Sequence, residues 1–122
     1  MKKNFFDVNI WLSRFHYAWN GLLVSFKSEQ TVWIHSTATI LVTALSFWKG
    51  IKGLEAIVIV FAVGFVWTAE LFNTAIEKLA DEVTTEYNER IKLVKDIAAA
   101  AVLVASIVAF LTGLIIFIPK FI

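Results

Sequence analysis

Residues 97–118 read IAAAAVLVASIVAFLTGLIIFI, 22 consecutive residues without a charged side chain. At 1.5 Å of helical rise per residue this run covers about 33 Å, enough to cross the ~30 Å hydrocarbon core of a bilayer. Lys120 lies just beyond it, within reach of the polar interface. Outward from this run, two further stretches have the same character. One covers about residues 54–76 and opens on the apolar series Ala56 to Ala69. The other covers about residues 31–48, is richer in Thr and Ser, and contains His35. Gly50 and Gly53 punctuate the short turn between them, which predicts an antiparallel helical hairpin.

Composition supports a bilayer as the solvent. The chain has 122 residues, room for one domain over 1–122, of which 59% are hydrophobic and 15% aromatic, with a mean hydropathy of +0.76. A water-soluble domain of this size buries too little of its surface to hide so much apolar area. With one Pro and five Gly the sequence favours long helices, and with no Cys it excludes disulfides and thiolate metal sites. A net charge of +1 gives no reason to expect nucleic acid as a partner. No compact apolar stretch follows Met1 to Asn9, so no cleavable signal peptide is expected.

The first thirty residues read differently. Val8, Trp11, Leu12, Phe15, Trp19, Leu22, Leu23 and Phe26 recur at helical spacing, while Asn9, Ser13, His16, Asn20 and Lys27 fall on the other side. This predicts an amphipathic helix over about 5–28 lying along the membrane surface, with an ordinary core-packing helix as the alternative. The fold class expected is therefore an all-α membrane protein with three transmembrane helices and an N-terminal amphipathic surface helix. Basic residues set its orientation. Lys2, Lys3, Arg14 and Lys27 at the N-terminus and Lys78, Arg90, Lys92 and Lys95 in the second loop face Lys49, Lys52 and Lys120 on the other side. The N-terminus and the second loop are expected in the cytoplasm, where ATP is found.

Glu70 is the most informative single residue. It stands near the end of the second span after fourteen uncharged residues, 56–69, and an ionisable group at membrane depth points to function. Asn73, Glu77 and Asp81 follow at +3, +7 and +11, along one face of a continuing helix. Such a stripe needs positive charge among its members. Magnesium suits it, a hard cation that takes oxygen ligands and shares them with substrate phosphates. Glu29, and Lys95 with Asp96, stand at the other two junctions of the same side, and Lys95 can offset phosphate charge. Bland readings stand beside these. Glu70 can be a buried structural carboxylate paired with a neighbouring chain, and Glu82, Glu89, Arg90 and Lys92 read as a solvated loop. His16 and His35 read as interfacial or packing residues, no His pair has zinc-ligand spacing, and the five Trp read as interfacial belts or packing. No Gly-rich phosphate loop is present, so a nucleotide site must be built from helix side chains.

The run Ala69-Glu70-Leu71-Phe72-Asn73-Thr74-Ala75-Ile76-Glu77 resembles the E-x-x-N-[ST]-A-I-E signature of the prokaryotic diacylglycerol kinase family. Asp81, Glu86-Tyr87, Lys95-Asp96 and Ala100-Ala101-Val102-Leu103 fit the same family downstream, and Tyr17-Ala18-Trp19-Asn20-Gly21-Leu22 with Glu29 fit it upstream. The resemblance covers roughly residues 14 to 115. It implies small homotrimeric kinases of the bacterial inner (cytoplasmic) membrane, with active sites shared between subunits, that phosphorylate diacylglycerol or undecaprenol with ATP and magnesium. By position, Glu70 would be the general base and Glu29 and Glu77 the magnesium ligands. Tyr17, Glu29, Glu77, Glu86, Tyr87, Asn88, Lys95 and Asp96 would contact ATP. Asn73, Arg14 and Ala99 would support the catalytic group or the substrates. This sequence departs from the family at Ile10, where Gram-negative members tend to carry a basic residue that Arg14 can replace. It departs also at Asn88 for His, Ala99 for Ser, and Trp33 for Arg. The Asn-Thr-Ala-Ile-Glu variant and Ile34-His35 look more like the Gram-positive branch, which phosphorylates undecaprenol. Two other function classes compete: a small non-enzymatic membrane protein, such as an inactive relative or assembly factor, and an ion or proton carrier built on Glu70.

Overall fold

Glycine sets the turn between the first two spans. In the computed structural model, which describes residues 6–122, Gly50 and Gly53 hold φ of +68° and +64°, a region that side chains with a Cβ rarely adopt. This turn joins α2 (Gln30–Trp48) to α3 (Leu54–Val83); α1 (Val8–Ser28) precedes them and α4 (Glu89–Phe121) follows. No strand is present among the described residues. The α2, α3 and α4 helices are long and apolar enough to cross a membrane, with mean hydropathies of 1.2, 2.0 and 2.8 over their most apolar windows. Lys2, Lys3 and the expected start of the surface helix at Phe5 lie outside the described residues.

The helix ends follow from local chemistry. Asp7 caps α1 by accepting from the Asn9 N–H, and Asn88 caps α4 by accepting from the N–H groups of Arg90 and Ile91. Glu29 alone separates α1 from α2, in an extended conformation, and its carboxylate makes no cap bond. The helix of the second span runs on through Val83, beyond the apolar stretch ending near Ile76, because residues 77–83 hold neither Gly nor Pro. Thirty residues of helix measure about 45 Å, so α3 outruns the hydrocarbon core and projects into the polar region.

Packing differs between the two ends of the bundle. Near the glycine turn, Ile59, Ile116 and Phe117 form the buried cluster, with Val42, Leu45, Ile51 and Val63 against it. There Lys120 Nζ lies 3.0 Å from Glu55 Oε2, and Lys49 Nζ sits 4.0 Å from the Phe121 ring centroid. These contacts tie the hairpin to the last turn of α4. At the other end, α1 docks through Phe26, whose ring stands 6.1 Å from Trp33 and 5.7 Å from Trp67. Of the described residues of α1 only Ser25 is buried, and Trp11, Leu12, Phe15 and Trp19 remain uncovered. That is the arrangement of a helix whose apolar side awaits lipid or another chain.

Candidate active site

Carboxylates need partners when water is excluded, and Glu70 has two. It is 2% exposed, the largest of the fully buried side chains among the described residues. The Thr31 hydroxyl donates to its Oε1 at 2.6 Å, and His35 Nε2 lies 3.2 Å from its Oε2. Because a carboxylate only accepts, the His35 tautomer that satisfies this contact carries its proton on Nε2. Thr31 and His35 stand one turn apart on α2, so one face of that helix serves both oxygens. The next turn continues the network: Thr39 donates to the His35 carbonyl at 2.7 Å and accepts from Trp67 Nε1–H at 2.8 Å. His35, read as an interfacial or packing residue, packs against Trp67 and also bonds to Glu70. Trp67, half-buried between Phe26 and His35, is a packing residue and also a hydrogen-bond donor of the same network.

The remainder of the stripe descends along α3 from Glu70. Asn73 keeps its Oδ1 buried without a hydrogen-bond partner, and the buried hydroxyl of Thr74 is likewise unpaired. Glu29 lies 3.9 Å from Lys78, which brings the α1–α2 junction against the part of α3 that carries Glu77. Asp81 binds Lys95 of α4 at 2.6 Å, so positive charge does stand among the carboxylates of the stripe. Lys95 lies outside the uncharged run of residues 97–118. Its ammonium is held above the usual lysine range, first by the hydrogen bond to Asp81, with smaller contributions from the charges of Asp81 and Glu77. Lys92, read as a solvated loop residue, binds Asp96 at 2.6 Å one turn along α4, and that bond raises it also.

The other expected contact residues stand apart. Tyr17, Glu86, Tyr87 and Ala99 are exposed, and no hydrogen bond joins Tyr17, Glu86 or Tyr87 to the Glu70 network. Asn88 is exposed and spends its side-chain oxygen on the cap of α4. Arg14 stacks over Trp11 at 5.3 Å and shares a shallow depression of α1 with Asn9, Ile10, Ser13 and Tyr17. No group of three or more His, Cys, Asp or Glu positioned to hold a metal ion occurs among the described residues. The carboxylates of Glu29 and Glu77 are oxygen donors of the kind a hard cation takes alongside water and phosphate. Sequence reasoning missed Thr31 and His35. The available signal was Thr31, His35 and Thr39 at four-residue spacing, a polar stripe on the span that precedes Glu70.

Residues 16–117 match the family described as prokaryotic diacylglycerol kinase. The chain is 31% identical over 114 residues to the undecaprenol kinase of Bacillus subtilis, covering 93% of each protein. It is 31% identical over 96 residues to the diacylglycerol kinase of Escherichia coli K12, covering 79% of each. With the diacylglycerol kinase of Synechocystis the identity is 35% over 117 residues, 93% of this chain and 66% of that protein.

Proposed function

The chain belongs to the prokaryotic diacylglycerol kinase family, and from that premise we propose that it moves the γ-phosphoryl group of ATP onto the hydroxyl of a membrane lipid alcohol. The substrate is diacylglycerol or undecaprenol, and the product is the corresponding lipid phosphate with ADP. The observation that carries this reading is Glu70, a buried carboxylate on a helix that runs from membrane depth to the charged end of the bundle. One helix thus presents a proton acceptor to a lipid hydroxyl and Asn73 and Glu77 to a phosphate. A purely structural carboxylate would not require the orphaned oxygen of Asn73 beside it.

In this reading Glu70 is the general base that receives the hydroxyl proton as the lipid oxygen attacks the γ-phosphorus. Glu29 and Glu77 would hold magnesium, and Asn73 supports Glu70. Bound there, the ion would neutralise charge developing on the phosphate oxygens. Lys95, kept charged by Asp81, faces the phosphates, and Asp96 stands next to it. Tyr17, Arg14, Glu86, Tyr87 and Asn88 complete the nucleotide contacts, and Ala99 lies near the lipid. A homotrimer with sites shared between subunits fits the separation of Tyr17, Glu86 and Tyr87 from the Glu70 network within one chain. The single domain spans 1–122 in the bacterial inner (cytoplasmic) membrane, its N-terminus in the cytoplasm, where the larger share of basic residues lies.

The test is an assay of purified protein in lipid micelles with magnesium and ATP, supplied separately with diacylglycerol and undecaprenol. The reading expects lipid phosphate from at least one. No lipid phosphate from either would favour a non-enzymatic membrane protein. Preference for undecaprenol would align the chain with its Bacillus subtilis relative.

A further inference from the structure

A carboxylate at the end of a flexible side chain has to be aimed before it acts as a base, because proton transfer needs donor and acceptor within about 3 Å. A misplacement of about 1 Å can cost ~100-fold in rate. In this chain the aim comes from α2. The Thr31 hydroxyl donates to Glu70 Oε1 at 2.6 Å, and His35 Nε2 lies 3.2 Å from Oε2. A carboxylate offers about four lone-pair sites, so these two bonds leave one free on each oxygen for an incoming proton. The terminal torsion of a glutamate is otherwise loosely defined, and one donor on each oxygen stops the group from turning about it.

The donors are themselves held. Trp67 packs against the His35 imidazole with ring centroids 6.3 Å apart, and its Nε1–H donates to Thr39 at 2.8 Å. Trp67 lies three residues before Glu70 on α3, and Thr39 lies four residues after His35 on α2. The imidazole, with 16% of its side chain exposed, is therefore confined by the same two helices that it joins. Thr31 stands two residues after Glu29 at the start of α2, so it ties the base to the junction that carries an expected metal ligand.

The geometry points to Thr31 and His35 as positioning residues for phosphoryl transfer: together they hold the Glu70 carboxylate in the orientation from which it takes the lipid proton. This inference rests on the kinase reading and leaves Glu70 as the group that receives the proton; Thr31 and His35 neither gain nor lose one in the step. A pair that served the fold alone would only compensate the buried charge. Its loss would then lower stability whether or not the base is present. A positioning pair acts through Glu70, so its loss lowers turnover only while Glu70 is there to be aimed.

The test compares variants that remove a donor with variants that keep it, in purified protein assayed for lipid phosphate. Thr31→Val keeps the shape and loses the hydroxyl, and its kcat should fall about 10- to 100-fold, the range covered by one hydrogen bond to a charged group. KM for lipid and for ATP should stay within about threefold of the wild type. Thr31→Ser restores the donor and should return kcat to within about threefold. On the other oxygen, His35→Leu should lose kcat in the same way and His35→Gln, whose amide still donates, should recover most of it. This second pair decides the matter should Thr31→Val fail to fold. Adding Thr31→Val to Glu70→Gln should change the residual rate by no more than about twofold, because no base is left to aim. A wild-type kcat in both Thr31→Val and His35→Leu would overturn the proposal, as would a Thr31→Ser as slow as Thr31→Val. A further loss of about tenfold in the double variant would overturn it too. A wild-type protein that forms no lipid phosphate would instead remove the kinase reading itself.

Discussion

Replacing Glu70 with Gln separates catalysis from stability, because the substitution removes a charge and hardly changes shape. The carboxylate is 2% exposed and holds bonds of 2.6 Å from Thr31 and 3.2 Å from His35. Gln Oε1 can keep the Thr31 bond, now to a neutral acceptor, which contributes about 1 kcal/mol where a charged one contributes about 1.5–3. His35 can turn its other tautomer toward the amide. Against that loss of roughly 1 kcal/mol stands the relief of burying no charge, an effect of about several kcal/mol. Glu70→Gln should therefore melt at or above the wild-type temperature in detergent. Its turnover should fall by about 100- to 10,000-fold, the range for a lost general base. The assay pairs lipid phosphate formation with thermal unfolding of the same preparation. Full turnover would refute the base role, and a drop in stability parallel to the drop in rate would refute the argument from buried charge.

Other substitutions probe the charged end and the turn. Lys95→Met should raise KM for ATP with little change in unfolding temperature, since its partner Asp81 is well exposed and such pairs contribute little to stability. Because the Lys95 ammonium is raised above the ordinary value of 10.5, the pair with Asp81 is complete below that value and fails only as pH rises through the elevated one. Titration of KM for ATP between about pH 6 and 9 should thus show no contribution from loss of this charge. Glu77→Gln should raise the magnesium concentration needed for half-maximal activity, and an unchanged metal requirement would count against its ligand role. Gly53→Ala should destabilise the protein by about 1–3 kcal/mol by backbone strain alone, since a Cβ there meets no atom within 4 Å at φ +64° and ψ −136°. Unfolding titrations would measure it.

The parts of the fold that were legible in the sequence are those governed by one helix at a time. An uncharged run of residues 97–118 has no stable place but a bilayer, and Gly50 with Gly53 had to mark the turn. The stripe of Glu70, Asn73, Glu77 and Asp81 followed from helical periodicity, and α3 does continue through all four. What stayed hidden lies between helices. The partners of Glu70 sit 39 and 35 residues away on α2, and nothing local distinguishes a Thr or His that packs from one that bonds. Lys95 with Asp81 is similar: both were visible as charged, but their pairing depends on how α4 returns along α3. The apparent clash of like charges on the stripe was a sound inference, and Lys95 of α4, paired with Asp81, answers part of it.

The most direct measurement of the central claim follows both products of one reaction. Purified protein with magnesium, a lipid alcohol and ATP labelled at the γ-phosphate is sampled for ADP and for label extracted with lipid. The account predicts one labelled lipid phosphate for each ADP, with both falling together in Glu70→Gln. ADP released without labelled lipid, or labelled lipid formed at the wild-type rate by Glu70→Gln, would contradict it.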